Sequence, residues 1–380
     1  MAVKLAFALF HYFPYGGLER DMLAVARVCQ SRSHEVTIYC GGWQGEKSAD
    51  MRIVELPVRA VSNHGRAQEF AARLQETLLN VSIDAVVGFN KMPGLDVYYA
   101  ADVCFAQKAF EERNFFYRLT PRCRQYLALE KAVFGAHSHT EVLMISKSQI
   151  DIYQRYYHTP SERLHLLPPG IRRDCVLPVD YDARRENSRS RLKISADTIQ
   201  ILFVGSDYHR KGLDRVLRGI AAIEAPFKQR VHLLVAGQDK TTQFVNLART
   251  LGIENQVRFL GPRDDIPDLM WASDLLLHPA YSEAAGLVLL EAMVAGLPVI
   301  ASSACGHAHY IREFNMGVVL NDPITPGDMA DSIVSIATQS RVQWCDLARH
   351  IAVTADIFSM PTRAAELIEH TAEAKRRRST

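Results

Sequence analysis

The chain lacks several features that would place it quickly. No apolar run in its 380 residues approaches the roughly 20 residues needed to span a bilayer. The seven cysteines, at 29, 40, 104, 123, 175, 305 and 345, stand singly. None forms C-x-x-C or a zinc-type spacing, so neither a disulfide framework nor a structural metal site is expected, and buried reduced thiols fit a cytoplasmic protein. Charge of one sign is missing too: the net charge is +2. The terminal run Lys375, Arg376, Arg377, Arg378 outweighs that excess by itself, which leaves nucleic-acid binding without support. The chain has no G-x-G-x-x-G and no Walker loop. The opening MAVKLAFALF is interrupted by His11 and has no small-residue cleavage pattern, so it reads as a first buried strand and not a leader.

What is present is ordinary globular material, 48% hydrophobic and 23% charged, at a length that favours two domains. The chain is organised around His278 to Ile311, HPAYSEAAGLVLLEAMVAGLPVIASSACGHAHYI. The run Ser273 to His278 has strand length. Helix formers run from Gly286 to Ala295 and stop at Gly296 and Pro298, and Leu297 to Ala301 begins another strand. Glu283 and Glu291 have seven residues between them, which puts one acid just before the helix and the other one to two turns into it. A helix N-terminus offers unpaired N–H groups and a positive dipole end, so the ligand there should be anionic. Ala284, Ala285 and Gly286 have almost no side chain and let it approach the backbone, and Leu287 is assigned to the donor beside them. Two carboxylates would repel a phosphate directly but accept hydrogen bonds well from hydroxyls. A molecule with hydroxyls on both sides of a phosphate, a nucleotide sugar, meets all of these conditions. Two scattered glutamates on a solvated helix face are the plain alternative on spacing alone.

Strand, loop and helix recur at two other places. Val3 to Phe10, the loop YFPYGG with Gly16 and Gly17, and a helix from Leu18 to Gln30 make one anion seat. Ile199 to Gly205 followed by GSDYHRKG makes another, with Arg210 and Lys211 as cations directly after a strand. Further strands are expected at His34–Cys40, Arg52–Leu56, Ile83–Phe89, Glu141–Ile145, Val231–Gly237 and Gln256–Gly261. Asn63, His64 and Arg66 are read in a loop before a helix, and Asn90, Lys91 and Asp102 at strand or loop ends, where parallel sheets bind ligands; Asn63, His64, Arg66, Asn90 and Lys91 are assigned to the acceptor or the membrane. Arg172, assigned to donor binding, opens a polar stretch, 171–198, read as an inter-domain linker. Its Asp180–Asp182 (DYD) lies in polar sequence and not after a buried strand, so no metal is assigned to it. Arg113, Arg118, Arg122 and Arg124 occur without an intervening acid and are interleaved with Phe115, Phe116 and Tyr117, a composition suited to an anionic membrane surface or an anionic acceptor.

The E-x7-E stretch with SEAAGLVLLEAMVAGLPVI resembles the retaining nucleotide-sugar glycosyltransferases of the GT-B type, family 4. YFPYGGLERD, NHGR, VVGFNKMPGLDVYYAADVC, LPPGI and GSDYHRKG are similar to the bacterial lipopolysaccharide core glucosyltransferases of the glucosyltransferase I group. The resemblance covers nearly the whole chain and implies an α/β fold of two Rossmann-like, doubly wound domains facing a central crevice. Residues 1–170 would bind the acceptor and 199–354 the nucleotide sugar, with a last helix at about 355–375 crossing back onto the first domain. It implies glucose transfer from UDP-glucose to a heptose of the lipopolysaccharide inner core, by a cytoplasmic monomer peripheral to the inner membrane, with no metal or other cofactor. By resemblance Gly17 lies against the diphosphate and Arg263 near the nucleobase. Asp21 lies near the transferred sugar and, with Asp102, is a candidate nucleophile beside a front-face mechanism that needs none. Arg210 and Lys211 would meet the leaving charge, Glu291 the ribose and Glu283 the sugar. Another donor (UDP-galactose, UDP-N-acetylglucosamine or a GDP-sugar), a nucleotide-sugar epimerase, or a silent membrane-associated binding protein are the alternatives.

Overall fold

The computed structural model describes residues 2–14 and 16–379. The chain divides into two compact units, Met1–Gly170 with Ser359–Thr380, and Ile171–Phe358. Each is a doubly wound parallel α/β unit.

The first unit carries β1 (Lys4–Leu9), β2 (Glu35–Cys40), β3 (Arg52–Glu55), β4 (Ala85–Gly88), β5 (Val97–Ala100), β6 (Glu141–Met144) and β7 (Leu164–Leu166) in the order β3-β2-β1-β4-β5-β6-β7, all neighbours parallel. A parallel sheet buried on both faces needs apolar residues at successive positions, and β1 reads LAFAL after Lys4. Its alternate residues serve two cores. Leu5, Phe7 and Leu9 pack with Met22 and Val25 of the helix Gly17–Ser31 and with Ala364 and Ile368 of the terminal helix Met360–Ser379. Ala6 and Ala8 face Phe70 and Leu74 of the helix Asn63–Leu78. The terminal helix is fastened further by Glu369, which takes Arg32 at 2.9 Å and His34 at 2.7 Å.

The second unit carries β8 (Ile199–Val204), β9 (Val231–Ala236), β10 (Val257–Gly261), β11 (Leu275–His278), β12 (Val299–Ser302) and β13 (Gly317–Leu320) in the order β10-β9-β8-β11-β12-β13, again parallel. The order reverses between β8 and β11, and the loops that leave the carboxyl ends of these two strands flank the switch point where such sheets hold ligands.

Two expectations change. Residues 171–198 are not a bare linker: they fold with the second unit, and Tyr181–Leu192 is a helix. Its arginines look solvated in sequence, yet Arg185 donates to the carbonyls of Trp271 (2.8 Å) and Ser273 (2.6 Å), and Arg189 to those of Ala272 (3.0 Å) and Thr198 (2.9 Å). Asn63, His64 and Arg66 are not in a loop but in the first turn of the helix Asn63–Leu78, because Ser62 caps it by accepting from Gly65 N.

Candidate active site

β8 ends at Val204, and Gly205 follows with φ +142°, a conformation that side chains rarely adopt. The space a Cβ would occupy there is filled by the Lys211 side chain, whose Cδ would lie 2.4 Å away. The glycine therefore lets Lys211 lie back across the strand end. Asp207 turns the loop at φ +60° and accepts from Arg210 Nε at 2.9 Å. On the neighbouring strand β11, the chain leaves His278 through Pro279, and Tyr281 N donates to the Arg210 carbonyl at 2.8 Å. Glu283 is pinned by its backbone: its N–H reaches Ala304 O at 3.3 Å and its carbonyl accepts from Gly306 N at 3.0 Å. The loop Ser302–Gly306 thus sets where this carboxylate stands.

Lys211 Nζ lies 2.8 Å and Arg210 Nη1 3.2 Å from the same oxygen, Glu283 Oε2. Arg210 Nη1 also donates to Ser282 O at 2.8 Å. Burial alone would raise the Glu283 pKa, but His278, Lys211 and Arg210 outweigh it and hold the carboxyl well below the usual carboxylate range. The two cations and Glu283, which the sequence suggested as separate contacts to phosphate and sugar, form one ion cluster. Burial, then the Lys211 charge, push fully buried His278 down to about 4, so its ring is neutral at pH 7. Burial and His309 do the same to His307. Burial pushes the Cys305 thiol up to about 11, which keeps it protonated.

Gly286 caps the helix Leu287–Val294 at φ +80°, so Ala284, Ala285 and Gly286 lead directly from Glu283 into the helix N-terminus. Glu291 lies on the second turn and is buried. Arg263 follows β10 and is paired with Asp265 (Nε to Oδ1, 2.7 Å). Arg172 is paired with Asp174 (2.9 Å) on the wall of a cavity of about 420 Å³ that Asp264 and Trp271 also line. The DYD carboxylates have separate partners, Asp180 with Arg184 and Asp182 with Arg341.

In the first unit Gly16 caps the helix that starts at Gly17. The Glu19 side chain folds back against Gly16, where an added Cβ would meet Glu19 Oε2 at 1.7 Å. Glu19 is only 6% exposed, and burial raises its pKa to about 7. Asp21 is buried too and accepts from Tyr99 Oη at 2.9 Å. Asp102 is exposed, and its carbonyl receives Tyr153 Oη at 3.2 Å. Asn63 and Arg66 are exposed, and His64 is half-buried.

Two residues assigned to the acceptor do other work. Asn90 Oδ1 accepts from Phe10 N at 2.7 Å and so ties the end of β4 to the end of β1. Lys91 is drawn inward to Glu130 at 2.5 Å. Glu130 is fully buried and also accepts from Phe105 N (2.9 Å), Ala106 N (2.8 Å) and Tyr157 Oη (2.8 Å). This knot anchors the start of the basic segment. Within that segment Arg118 donates to the carbonyls of Ala109 (3.0 Å) and Phe110 (2.7 Å) and so acts as internal structure. Arg113, Arg122 and Arg124 are exposed, and so are Phe115 (64%) and Phe116 (76%).

Sequence reasoning missed His278, His307, Glu19 and Glu130. The one readable signal was the histidine ending the apolar run LLLH. Glu130 depends on Lys91, 39 positions away, and Glu19 and His307 on a burial that their polar surroundings in sequence do not show.

The Glycosyltransferase Family 4 model matches residues 15–174. The Glycosyl transferases group 1 model matches residues 184–350. The chain is 43% identical over 366 residues to the lipopolysaccharide glucosyltransferase WaaG of Escherichia coli (strain K12), covering 96% of this chain and 98% of that protein. It is 30% identical over 221 residues to a D-inositol 3-phosphate glycosyltransferase of Corynebacterium kroppenstedtii, 52% of this chain and 49% of that one. The crystal structure of WaaG superposes with a TM-score of 0.93 at 43% identity, covering 96% of this chain and 99% of that chain. Anabaena Alr3699/HepE in complex with UDP and glucose superposes with a TM-score of 0.75 at 18% identity, over 97% of this chain and 100% of that one, a likeness of fold.

Proposed function

Because the chain belongs to the family of the lipopolysaccharide glucosyltransferase WaaG, we propose that its glucosyl transfer runs from UDP-glucose to a heptose of the lipopolysaccharide inner core with retention of configuration and without a metal ion. The full-length relationship to WaaG carries this reading. The site chemistry agrees with it. The bond from the anomeric carbon to the β-phosphate oxygen breaks, and a bond to the acceptor hydroxyl oxygen forms on the same face. The hydroxyl proton passes to the departing diphosphate. Negative charge grows on that diphosphate as the sugar becomes oxocarbenium-like, and stabilising it is the main electrostatic task. Lys211 and Arg210 bring two positive charges to the switch point, and the helix N-terminus at Gly286 adds unpaired N–H groups. Glu283 then accepts from sugar hydroxyls and Glu291 from the ribose. The exposed Phe115 and Phe116, flanked by Arg113, Arg122 and Arg124, hold the enzyme at an anionic membrane surface. Among the described residues no helix is long and apolar enough to cross a membrane.

The test uses labelled UDP-glucose with lipopolysaccharide truncated to its inner core, against UDP-galactose, UDP-N-acetylglucosamine and GDP-glucose. Transfer from UDP-glucose at the highest kcat/KM, with the label on a heptose, is the expected result. Turnover should persist in EDTA. Loss of activity in EDTA with recovery in manganese or magnesium would overturn metal independence, and a different preferred nucleotide sugar would overturn the donor.

A further inference from the structure

His278 ends β11 with a ring 0% exposed. Neither Nδ1 nor Nε2 has a hydrogen-bond partner among the described residues. Two unpaired polar atoms in a core are costly, and such groups call for an explanation. Nε2 lies 3.6 Å from Glu283 Oε2, a few tenths of an ångström beyond hydrogen-bond reach. That oxygen is the one already held by Lys211 and Arg210. The neutral ring has a single N–H to offer. It is a weaker partner than either cation and stands behind them.

We infer that His278 is a positioning residue that takes hold of Glu283 when Lys211 and Arg210 turn to the donor diphosphate. The inference rests on the donor reading above. A diphosphate competes with Glu283 for both cations, and each one it draws away leaves Oε2 short of a partner. The Glu283 backbone cannot follow, because Ala304 and Gly306 fix it. A small rotation of the carboxylate closes the remaining gap to Nε2. Glu283 then keeps its place against the sugar while the cations meet the phosphates, and no proton is transferred. The charged groups facing the ring are Lys211, Arg210 and Glu283. His307, buried nearby, senses the same carboxylate.

The experiment compares the wild type with His278→Leu and His278→Gln, using UDP-glucose and inner-core lipopolysaccharide, and records UDP binding separately by calorimetry. The Leu variant should lose about 10–100-fold in kcat, the worth of one hydrogen bond to a charged group, with the UDP dissociation constant within about twofold. The Gln variant, which keeps an N–H donor near the Nε2 position, should recover most of the loss. A second readout needs no variant: saturating ¹⁵N-histidine-labelled wild type with UDP should move the His278 Nε2–H proton downfield and slow its exchange. Full kcat in the Leu variant, equal loss in folded Leu and Gln variants, or a His278 signal that ignores UDP would overturn the inference. If the wild type does not turn over UDP-glucose but UDP still shifts the His278 signal, the donor sugar is wrong and the positioning role stands.

Discussion

Lys211 is held 2.8 Å from Glu283 across the bare backbone of Gly205, so its ammonium is already ordered before any phosphate arrives. The charge it faces grows as the donor bond breaks, so it contributes more to the transition state than to the bound donor. Lys211→Ala should lower kcat by about 10²–10³, the usual effect of removing one such donor. Its effect on UDP affinity should be much smaller, because Arg210 remains. Steady-state kinetics beside calorimetry decide this, and a raised KM with unchanged kcat would remove Lys211 from the chemistry. Glu19 poses a different problem at the same scale. Burial, with a smaller push from Asp21, raises its pKa to about 7. The folded chain therefore keeps a proton that the unfolded chain gives up near 4.5. The stability this contributes is complete below about pH 4.5 and is lost as the pH rises through about 7. Glu19→Gln should accordingly stabilise the protein at pH 8 by about 2–3 kcal/mol and change little near pH 4. Urea unfolding at the two pH values measures the difference, and equal shifts at both would refute the assignment. His278 and His307 run the other way, since both are held neutral down to about pH 4 and favour unfolding as the pH falls below 6.5.

At the scale of elements, the knot around Glu130 shows what can go wrong when a cation is read from its place in the sequence. Lys91 follows β4, where ligand contacts are expected, yet its ammonium is paired with a fully buried carboxylate. Removing one partner of a buried pair strands the other charge at a cost of about 3–5 kcal/mol. Lys91→Ala should therefore lower stability by that amount while leaving UDP affinity unchanged, which denaturation and calorimetry can separate. A stable variant with a raised acceptor KM would restore the acceptor role. The strands were legible because buried parallel strands are continuous apolar runs, as in LAFAL and LLLH. The members of the cluster around Glu283 were legible one by one, from glycines, a helix stop and a pair of cations after a strand, but their union was not, because 72 positions separate Lys211 from Glu283. The helix Tyr181–Leu192 was not, because ARRENSRSR has no apolar face and is held by arginines reaching carbonyls some 80 residues away. Nor was the role of Arg118, whose partners are backbone carbonyls, a contact that side-chain pattern does not encode.

For the molecule as a whole, net charge cannot hold it at a membrane: at +2 the excess is small, and its cations are scattered over both units. Attraction to an anionic surface must come from a local patch, and two are available. In the helix Met360–Ser379 the terminal cations are partly neutralised, with Lys375 2.7 Å from Asp96 and Arg377 3.7 Å from Glu373. In the stretch 113–124, the exposed Arg113, Arg122 and Arg124 occur with Phe115 and Phe116, whose rings are mostly solvent-facing and 6.2 Å apart. Each cation near an anionic bilayer contributes roughly 1 kcal/mol, so three arginines amount to about two orders of magnitude in affinity. Salt screens this over a Debye length of about 8–10 Å. Apolar insertion of the two rings is not screened. Replacing Arg113, Arg122 and Arg124 with Gln should therefore lower co-sedimentation with anionic vesicles at low salt to the fraction that persists at high salt while sparing the fold, since among the described residues none of the three side chains donates to a backbone carbonyl as Arg118 does. Phe115→Ser with Phe116→Ser should instead remove the fraction that persists at high salt. Deleting residues 376–380 should leave most binding in place. If binding follows that deletion and ignores the arginine and phenylalanine changes, the terminal helix is the attachment point, and the exposed arginines of the first unit are better assigned to the phosphates of the acceptor.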